Sequence, residues 1–108
     1  MTKEQYENEL IEFAQEAVRT RSYSDEEGNM ASLIKEKMEK LGYDEVKLDS
    51  VGNVVGKIGS GKKTVHFDSH MDTVRVNDAD EWKVPPFSGD IVDGSIWGRG
   101  SVDMKSAL

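Results

Sequence analysis

The hydrophobic pattern of the chain changes its period at Gly42, and this change limits the folds that the chain can adopt. Before Gly42, apolar residues recur every three or four positions in two segments, which is typical of amphipathic helices. Thr2 and Gln5 form a capping-box pattern before the first segment, Ser24 and Glu27 form one before the second, and Gly42 is placed to end the second helix. The apolar positions are Tyr6, Leu10, Phe13, Ala14 and Ala17 in the first segment and Met30, Leu33, Ile34, Met38 and Leu41 in the second.

After Gly42 the pattern becomes that of β-strands. "DEVKLD" alternates polar and apolar residues, "NVVGKIG" follows a turn signal, and "TVHFDSHMDTV" at 64–74 is a further β-rich run whose apolar positions are Val65 and Phe67. Asp93-Gly94 lies between two short apolar runs and predicts a hairpin. Helices followed by strands predict an α/β fold. The last segment starts a helical pattern without a stop signal, so we expect the 108-residue chain to be an incomplete domain.

Composition restricts the classes of partner and site. Lys and Arg number 14 against 21 Asp and Glu, a formal charge of −7, which disfavours nucleic acid and anionic membrane surfaces as partners. No run is apolar enough to span a membrane and no signal-peptide pattern is present, so a cytoplasmic protein is expected. The chain has no cysteine and two histidines, so any metal must be held by imidazole and carboxylate groups.

Both histidines lie in His-x-Asp pairs, His66 with Asp68 and His70 with Asp72. Residues two apart in a strand point to the same face, so each pair can direct an imidazole and a carboxylate to one point. Ligand sites of open α/β sheets lie at the carboxyl ends of strands, which favours His70 and Asp72. We expect the first pair to lie deeper in the strand. A single His-x-Asp is a weak signal, because a histidine without a metal is more common.

A glycine-rich turn, "GRGSVDMK", places Asp103 at the start of a helical pattern. A carboxylate there is able to bridge two metal ions, or it serves only as an N-terminal helix cap. A separate acidic group at Asn77, Asp78, Asp80 and Glu81 offers oxygen ligands of the kind that calcium prefers. Its spacing matches no EF-hand loop, so a solvated acidic loop is the favoured interpretation.

Taken in order, "HMDTV", "EWKVPPFSG" and "DGSIWGRGSVDMK" resemble the zinc metallopeptidases and deacylases of the aminoacylase, carboxypeptidase G and acetylornithine deacetylase / succinyl-diaminopimelate desuccinylase family. The resemblance covers nearly the whole chain and is closest to the selenium-metabolism-linked hydrolase branch. It implies that residues 1–108 are the N-terminal part of a di-zinc aminopeptidase-like α/β/α catalytic domain, with two helices followed by strands of a mixed sheet. The inserted lid or dimerisation domain of the family is absent from the sequence.

The resemblance implies a role for each matching residue. His70 would bind the first metal, Asp103 would bridge both metals with its carboxylate, and Asp72 would orient the site and tune the general base. The peptide between Asp103 and Met104 would be cis. Arg99 and Lys105 match the motif and are assigned structural roles. The loop residues Trp82, Pro86 and Phe87 would pack near the cleft, with direct substrate contact by Trp82 as an alternative. The implied cofactor is Zn²⁺, two ions in a complete site, with Co²⁺ or Mn²⁺ as alternatives.

The resemblance implies that the parent protein hydrolyses an amide bond in a small peptide or N-acyl amino acid with the help of a metal. A homodimer is one expected form of that parent protein. Family members carry a Glu-Glu pair, another acidic ligand and a last histidine further along, none of which is in this sequence. We therefore expect the chain alone to bind zinc poorly and to be inactive. The alternative is a non-catalytic short module that associates with a partner or with itself.

Overall fold

The structure is a computed structural model that describes residues 1–108. Two helices are followed by two separate β-hairpins and two short 3₁₀ turns. The elements are α1 (Lys3–Arg19), α2 (Gly28–Lys40), β1 (Glu45–Leu48), β2 (Val54–Lys57), a 3₁₀ turn (Ala79–Glu81), β3 (Ile91–Val92), β4 (Ser95–Ile96) and a last 3₁₀ turn (Lys105–Ala107). No helix combines the length and the apolar character that crossing a membrane would need.

Helix α1 begins as its sequence predicts. The Thr2 hydroxyl accepts a hydrogen bond from the Gln5 backbone N–H at 3.1 Å, and the Gln5 side chain accepts one from the Thr2 N–H at 2.8 Å. This reciprocal pair is the predicted capping box. It satisfies two of the backbone donors that the first turn of a helix leaves without partners.

Helix α2 ends as predicted but does not begin as predicted. Gly42 has a φ of 81°, and the N–H groups of Gly42 and Tyr43 donate to the carbonyls of Glu39 and Met38, a Schellman ending. The capping box predicted at Ser24 is wrong, because the N-cap is Glu27 and no side chain caps the helix. The Ser24 hydroxyl donates instead to the carboxylate of Asp72. A tertiary hydrogen bond has replaced the local one.

The core lies between the two helices and the first hairpin. Ala17 of α1 packs with Met30 and Ile34 of α2, and these three side chains are at most 9% exposed. Four partly buried apolar residues pack against them, namely Leu33, Met38, Val54 and Met71. Because Met71 lies between His70 and Asp72 in the sequence, this packing attaches the second His-x-Asp pair to the helical layer.

Two hairpins form, one at the predicted Asp93-Gly94 turn and one between the strands predicted in "DEVKLD" and "NVVGKIG". Strands β1 and β2 are antiparallel with Leu48 opposite Val54, and β3 and β4 are antiparallel with Val92 opposite Ser95. Asp93 and Gly94 have φ angles of 51° and 77°, as a type I′ turn requires. The chain therefore has the predicted α/β character, with two separate hairpins in place of one mixed sheet.

The strand predicted at 64–74 is wrong. The segment makes a single parallel bridge, between Tyr23 and Thr73. Val65 is 79% exposed and Phe67 91% exposed, and His66 and Asp68 are exposed as well, so they do not lie deep as expected. A strand needs a neighbour to bind its N–H and C=O groups, and no other strand of the chain lies beside residues 64–72.

Candidate metal centre

His70 is held in place by the backbone around it. The N–H of Thr73 donates to the Ser22 carbonyl at 2.8 Å, and the Thr73 carbonyl accepts from the Ser24 N–H at 3.2 Å. The hydroxyl of Ser22, which is fully buried, donates to the Met71 carbonyl at 2.7 Å. The loop after α1 thus holds residues 71–73 along one edge, and His70 extends from the end of this pairing.

The imidazole of His70 meets the carboxylate of Asp103. His70 Nε2 lies 2.9 Å from Asp103 Oδ1, although the two residues are 33 positions apart. The peptide between Asp103 and Met104 is cis, as the resemblance implied, and the His70 N–H donates to Met104 Sδ at 3.3 Å. The His-x-Asp segment and the glycine-rich turn therefore converge on one point.

Asp72 lies on the other side of the His70 ring. The Asp72 carbonyl is 3.1 Å from His70 Nδ1, and its carboxylate Oδ1 is 3.3 Å from the same nitrogen. The second carboxylate oxygen, Oδ2, accepts the hydrogen bond from Ser24. The imidazole is therefore placed between Asp72 at Nδ1 and Asp103 at Nε2, with a carboxylate at each nitrogen.

This arrangement changes the charge preferences of both residues. The hydrogen bond that His70 donates to Asp103 raises the pKa of His70 above its usual value, and the contacts with Asp72 act in the same direction. The Ser24 hydroxyl lowers the pKa of Asp72, and the positive charge that His70 can carry lowers it further. Without a metal, the geometry therefore favours an imidazolium between two carboxylates.

The donor set is compatible with a zinc ion, but only in part. Zinc–ligand distances of about 2.0–2.1 Å and tetrahedral angles would hold two ligand atoms about 3.3 Å apart, close to the observed 2.9 Å between His70 Nε2 and Asp103 Oδ1. The Asp103 side chain is 86% exposed, so its second oxygen is accessible. No group of three or more His, Cys, Asp or Glu residues is placed to hold a metal. His70 and Asp103 thus bring together two donor groups, fewer than a closed metal centre needs.

Two cations of the glycine-rich turn attach the Asp103 loop to its surroundings. Lys105 is buried, and its Nζ donates to the carbonyls of Ala17 and Thr20 at 2.8 and 2.7 Å, at the C-terminus of α1. Burial lowers the pKa of Lys105 to about 8. Arg99 stacks over the Trp82 ring at 5.1 Å. These contacts agree with the structural roles that the sequence analysis gave to both residues.

The competing metal ligands are not brought together. His66 makes no hydrogen bond or ion pair, and Asp68 borders the cleft beside His70 without contacting its ring. In the acidic loop, the Asp78 carboxylate accepts a hydrogen bond from Trp82 Nε1 at 3.1 Å and pairs with Arg99 at 3.9 Å. The acidic residues considered as calcium ligands therefore form no cluster.

A cleft of about 650 Å³ opens beside His70, Asp72 and Met104. Its wall combines acidic side chains with apolar ones from the first hairpin, and it includes Asp25, Glu27, Leu48, Val51, Asp68 and Met104. Neither the contact of Met104 with His70 nor the hydrogen bond of Ser24 to Asp72 was predicted from the sequence. Ser24 gave a misleading signal, because its spacing to Glu27 is that of a helix cap.

Comparison with known proteins identifies the family that the chain resembles. Residues 66–108 match the model of Peptidase family M20/M25/M40. The chain is 37% identical over 103 residues to the uncharacterized protein YgeY of Escherichia coli, covering 95% of this chain and 26% of YgeY. It is 34% identical over 105 residues to a succinyl-diaminopimelate desuccinylase of Parvibaculum lavamentivorans, covering 91% of this chain and 27% of that enzyme.

A solved structure agrees with the fold. The M20 family metallo-carboxypeptidase Sso-CP2 of Sulfolobus solfataricus superposes with a TM-score of 0.74 and 33% sequence identity, over 97% of this chain and 24% of Sso-CP2. The chain thus spans about a quarter of the length of the relatives it matches. The match of residues 66–108 to the family model, the identity to these relatives and the fold support a fragment of peptidase family M20/M25/M40 that corresponds to an N-terminal portion of the catalytic domain.

Proposed function

We propose that this chain supplies one part of the metal centre of a hydrolase that cleaves an amide bond in a small peptide or an N-acyl amino acid. The observation that carries the proposal is the 2.9 Å approach of His70 Nε2 to Asp103 Oδ1 from two distant segments. The reaction that we propose, hydrolysis of an amide bond, is taken from the relatives of the chain, which include a metallo-carboxypeptidase and a desuccinylase.

His70 and Asp103 are the proposed ligands of Zn²⁺, with Co²⁺ or Mn²⁺ as alternatives. A bound divalent ion would supply Lewis-acid polarisation of the amide carbonyl. Asp72 holds Nδ1 of His70 as a hydrogen-bond donor, which leaves the Nε2 lone pair for the metal. The accessible second oxygen of Asp103 is suited to a second metal ion, as in a dinuclear centre.

Metal binding with matched histidine variants tests the ligands. We expect the 108-residue chain to bind Zn²⁺ weakly, and His70→Ala and Asp103→Ala to lose that binding, as measured by calorimetry or by NMR titration. His66→Ala is the control, because the His66 side chain is exposed and makes no hydrogen bond or ion pair. Zinc binding that depends on His66, or that is the same in wild type, His70→Ala and Asp103→Ala, would contradict the proposal.

The same proposal predicts no hydrolysis by the isolated chain. Two ligands do not enclose two metal ions, so the chain alone would hold a divalent ion too weakly to polarise an amide carbonyl. Release of free amine from N-acyl amino acids and dipeptides, with Zn²⁺ present, measures this directly. Turnover by the chain that His70→Ala abolishes would show that the centre is more complete than proposed.

A further inference from the structure

Asp72 accepts a side-chain hydrogen bond from one residue outside the "HMDTV" and "GRGSVDMK" segments, and that residue is Ser24. It lies in the loop between α1 and α2, and its hydroxyl donates to Asp72 Oδ2. Its backbone is fixed by the hydrogen bond from its N–H to the Thr73 carbonyl. The hydroxyl is thus presented to Asp72 by a rigid pairing.

The two oxygens of the Asp72 carboxylate have different partners. Oδ2 faces the Ser24 hydroxyl, and Oδ1 faces His70 Nδ1 at 3.3 Å. A hydrogen bond on one oxygen limits rotation of the whole carboxylate, so Ser24 also determines where Oδ1 points. The position of Oδ1 and of the Asp72 carbonyl in turn determines the orientation of the imidazole.

We propose that Ser24 is a positioning residue for the metal-binding histidine, acting through Asp72 so that His70 Nε2 is turned toward Asp103. This inference rests on the proposed role of His70 as a metal ligand. Ser24 does not cap α2 and its side chain is exposed, so its hydrogen bond to Asp72 contributes little to the stability of the fold. If Ser24 had only a structural role, its replacement would lower the stability of the fold. If it is a positioning residue, its replacement changes the orientation of the His70 imidazole instead.

Zinc affinity with a conservative rescue tests the role. We expect Ser24→Ala to raise the apparent dissociation constant of the chain for Zn²⁺ about 10-fold. This is the low end of the roughly 10- to 100-fold loss that is typical when a metal ligand's own hydrogen-bond partner is removed, because Ser24 acts one contact further away, through Asp72. Ser24→Thr keeps the hydroxyl and should restore most of the affinity. Ser60→Ala, which removes an exposed hydroxyl that makes no hydrogen bond, should bind as wild type does. The thermal unfolding midpoint of the metal-free Ser24→Ala chain should be unchanged.

A metal-free measurement decides the question independently of zinc affinity. Three-bond couplings in NMR report the χ1 rotamers of His70 and Asp72, and we expect one rotamer for each in wild type and Ser24→Thr and averaged rotamers in Ser24→Ala. Wild-type zinc affinity and wild-type couplings in Ser24→Ala would overturn the role of Ser24 while leaving His70 as a ligand. Zinc binding that is insensitive to His70→Ala would overturn the proposed function itself.

Discussion

Gly98 lies where the loop that leads to Asp103 crosses helix α1. A Cβ at this position would lie 2.1 Å from Val18 Cγ1 and 3.0 Å from the Pro86 carbonyl oxygen. Val18 is 2% exposed and β-branched, so its side chain has little freedom to move away. The absence of a side chain at residue 98 is what allows the loop to approach the helix.

We expect Gly98→Ala to lower the free energy of unfolding by about 1–3 kcal/mol, the usual cost of overpacking a core. Gly28→Ala is the matched control, because a Cβ at Gly28 meets nothing within 4 Å and alanine favours the helical backbone. Urea unfolding followed by circular dichroism compares the two. A Gly98→Ala variant as stable as Gly28→Ala would mean that the crossing is looser than the structure shows.

Lys105 binds the Asp103 loop to the end of α1 with a single amine. Its two acceptors, the carbonyls of Ala17 and Thr20, lie in and just after the last turn of the helix, where carbonyls lack intrahelical partners. We expect Lys105→Met to lower the free energy of unfolding by about 1–3 kcal/mol, because the Ala17 carbonyl would remain buried without a donor. Lys62→Met, at an exposed lysine, is the control. Equal unfolding midpoints for the two variants would contradict this role.

The lowered pKa of Lys105 gives its contribution a defined pH dependence. The pKa is about 8 in the folded chain and about 10.4 in an unfolded one, so between these values the unfolded state binds more protons. Stability from Lys105 therefore rises with pH across this window, and the desolvation cost is fully present below pH 8. We expect the stability difference between wild type and Lys105→Met to increase from pH 8 to pH 10. If the stability difference between the two proteins stayed constant or fell over this pH range, the pKa of Lys105 would not be lowered by burial.

At the scale of the element, the β1–β2 hairpin is closed by one carboxylate. Asp49 Oδ1 accepts from the N–H groups of Val51 and Asn53 at 3.0 and 2.8 Å, and Oδ2 accepts from Asn53 Nδ2 at 2.9 Å. The Asn53 side chain is the main cause that lowers the pKa of Asp49 below 3.8. The ionised form is the one that holds the turn.

As the pH is lowered, the turn held by Asp49 should therefore stay intact until the pH falls below the usual pKa of an aspartate. Because the folded pKa is lowered, the stabilisation is complete above the unfolded value and is lost as pH falls through the folded pKa. We expect the Asn53 amide signal in NMR to shift with a midpoint below pH 3.8, and Asp49→Ala to lose the hairpin signals at neutral pH. The Trp97 amide, in the second hairpin, is the internal reference. A midpoint above pH 3.8 would contradict the hydrogen bonds to Asp49.

The elements that the sequence predicted are those whose signals are local. The Thr2 cap, the Gly42 ending and the Asp93-Gly94 turn each depend on residues a few positions apart, and each is present. The strand at 64–74 has the right residue types but depends on neighbours elsewhere, so its alternation alone could not establish it. In this segment the local pattern predicts a strand, but no neighbouring strand is present to pair with it.

The candidate site also has a part that was predicted from the sequence and a part that was not. The convergence of His70 and Asp103 was expected from the motif, whose order and spacing carry information that no single pair does. The role of Ser24 could not be found, because its local pattern offered a helix cap and its partner Asp72 lies 48 positions away. A serine competes for local and distant acceptors alike, and only the folded chain shows which acceptor it binds.

At the scale of the whole molecule, the chain is more open than a compact domain of its size. Its radius of gyration is 15.2 Å, against about 13 Å expected for this length. Its accessible surface is 8093 Å², against about 6,000 Å² expected for its mass. Only 10 of 108 residues are buried, so a small core between two helices and one hairpin holds a chain with a large apolar surface.

Phe67 is the extreme of that surface and gives a last prediction. Its ring is 91% exposed, so Phe67→Ser should leave the free energy of unfolding of the chain unchanged and should reduce self-association. Phe87 is the matched control, because its ring packs edge-on against Tyr23 at 5.8 Å, and Phe87→Ser should lower the free energy of unfolding by about 1 kcal/mol or more.

Light scattering over a range of concentrations, together with urea unfolding, separates the two effects of Phe67. Reduced association at unchanged stability would assign the chain's association to the exposed 64–67 segment. A discrete dimer that Phe67→Ser dissociates would favour the non-catalytic module that associates with itself, because a defined partner surface would then cover this segment. Loss of stability in Phe67→Ser equal to that in Phe87→Ser would show that the ring is buried in solution, against the structure.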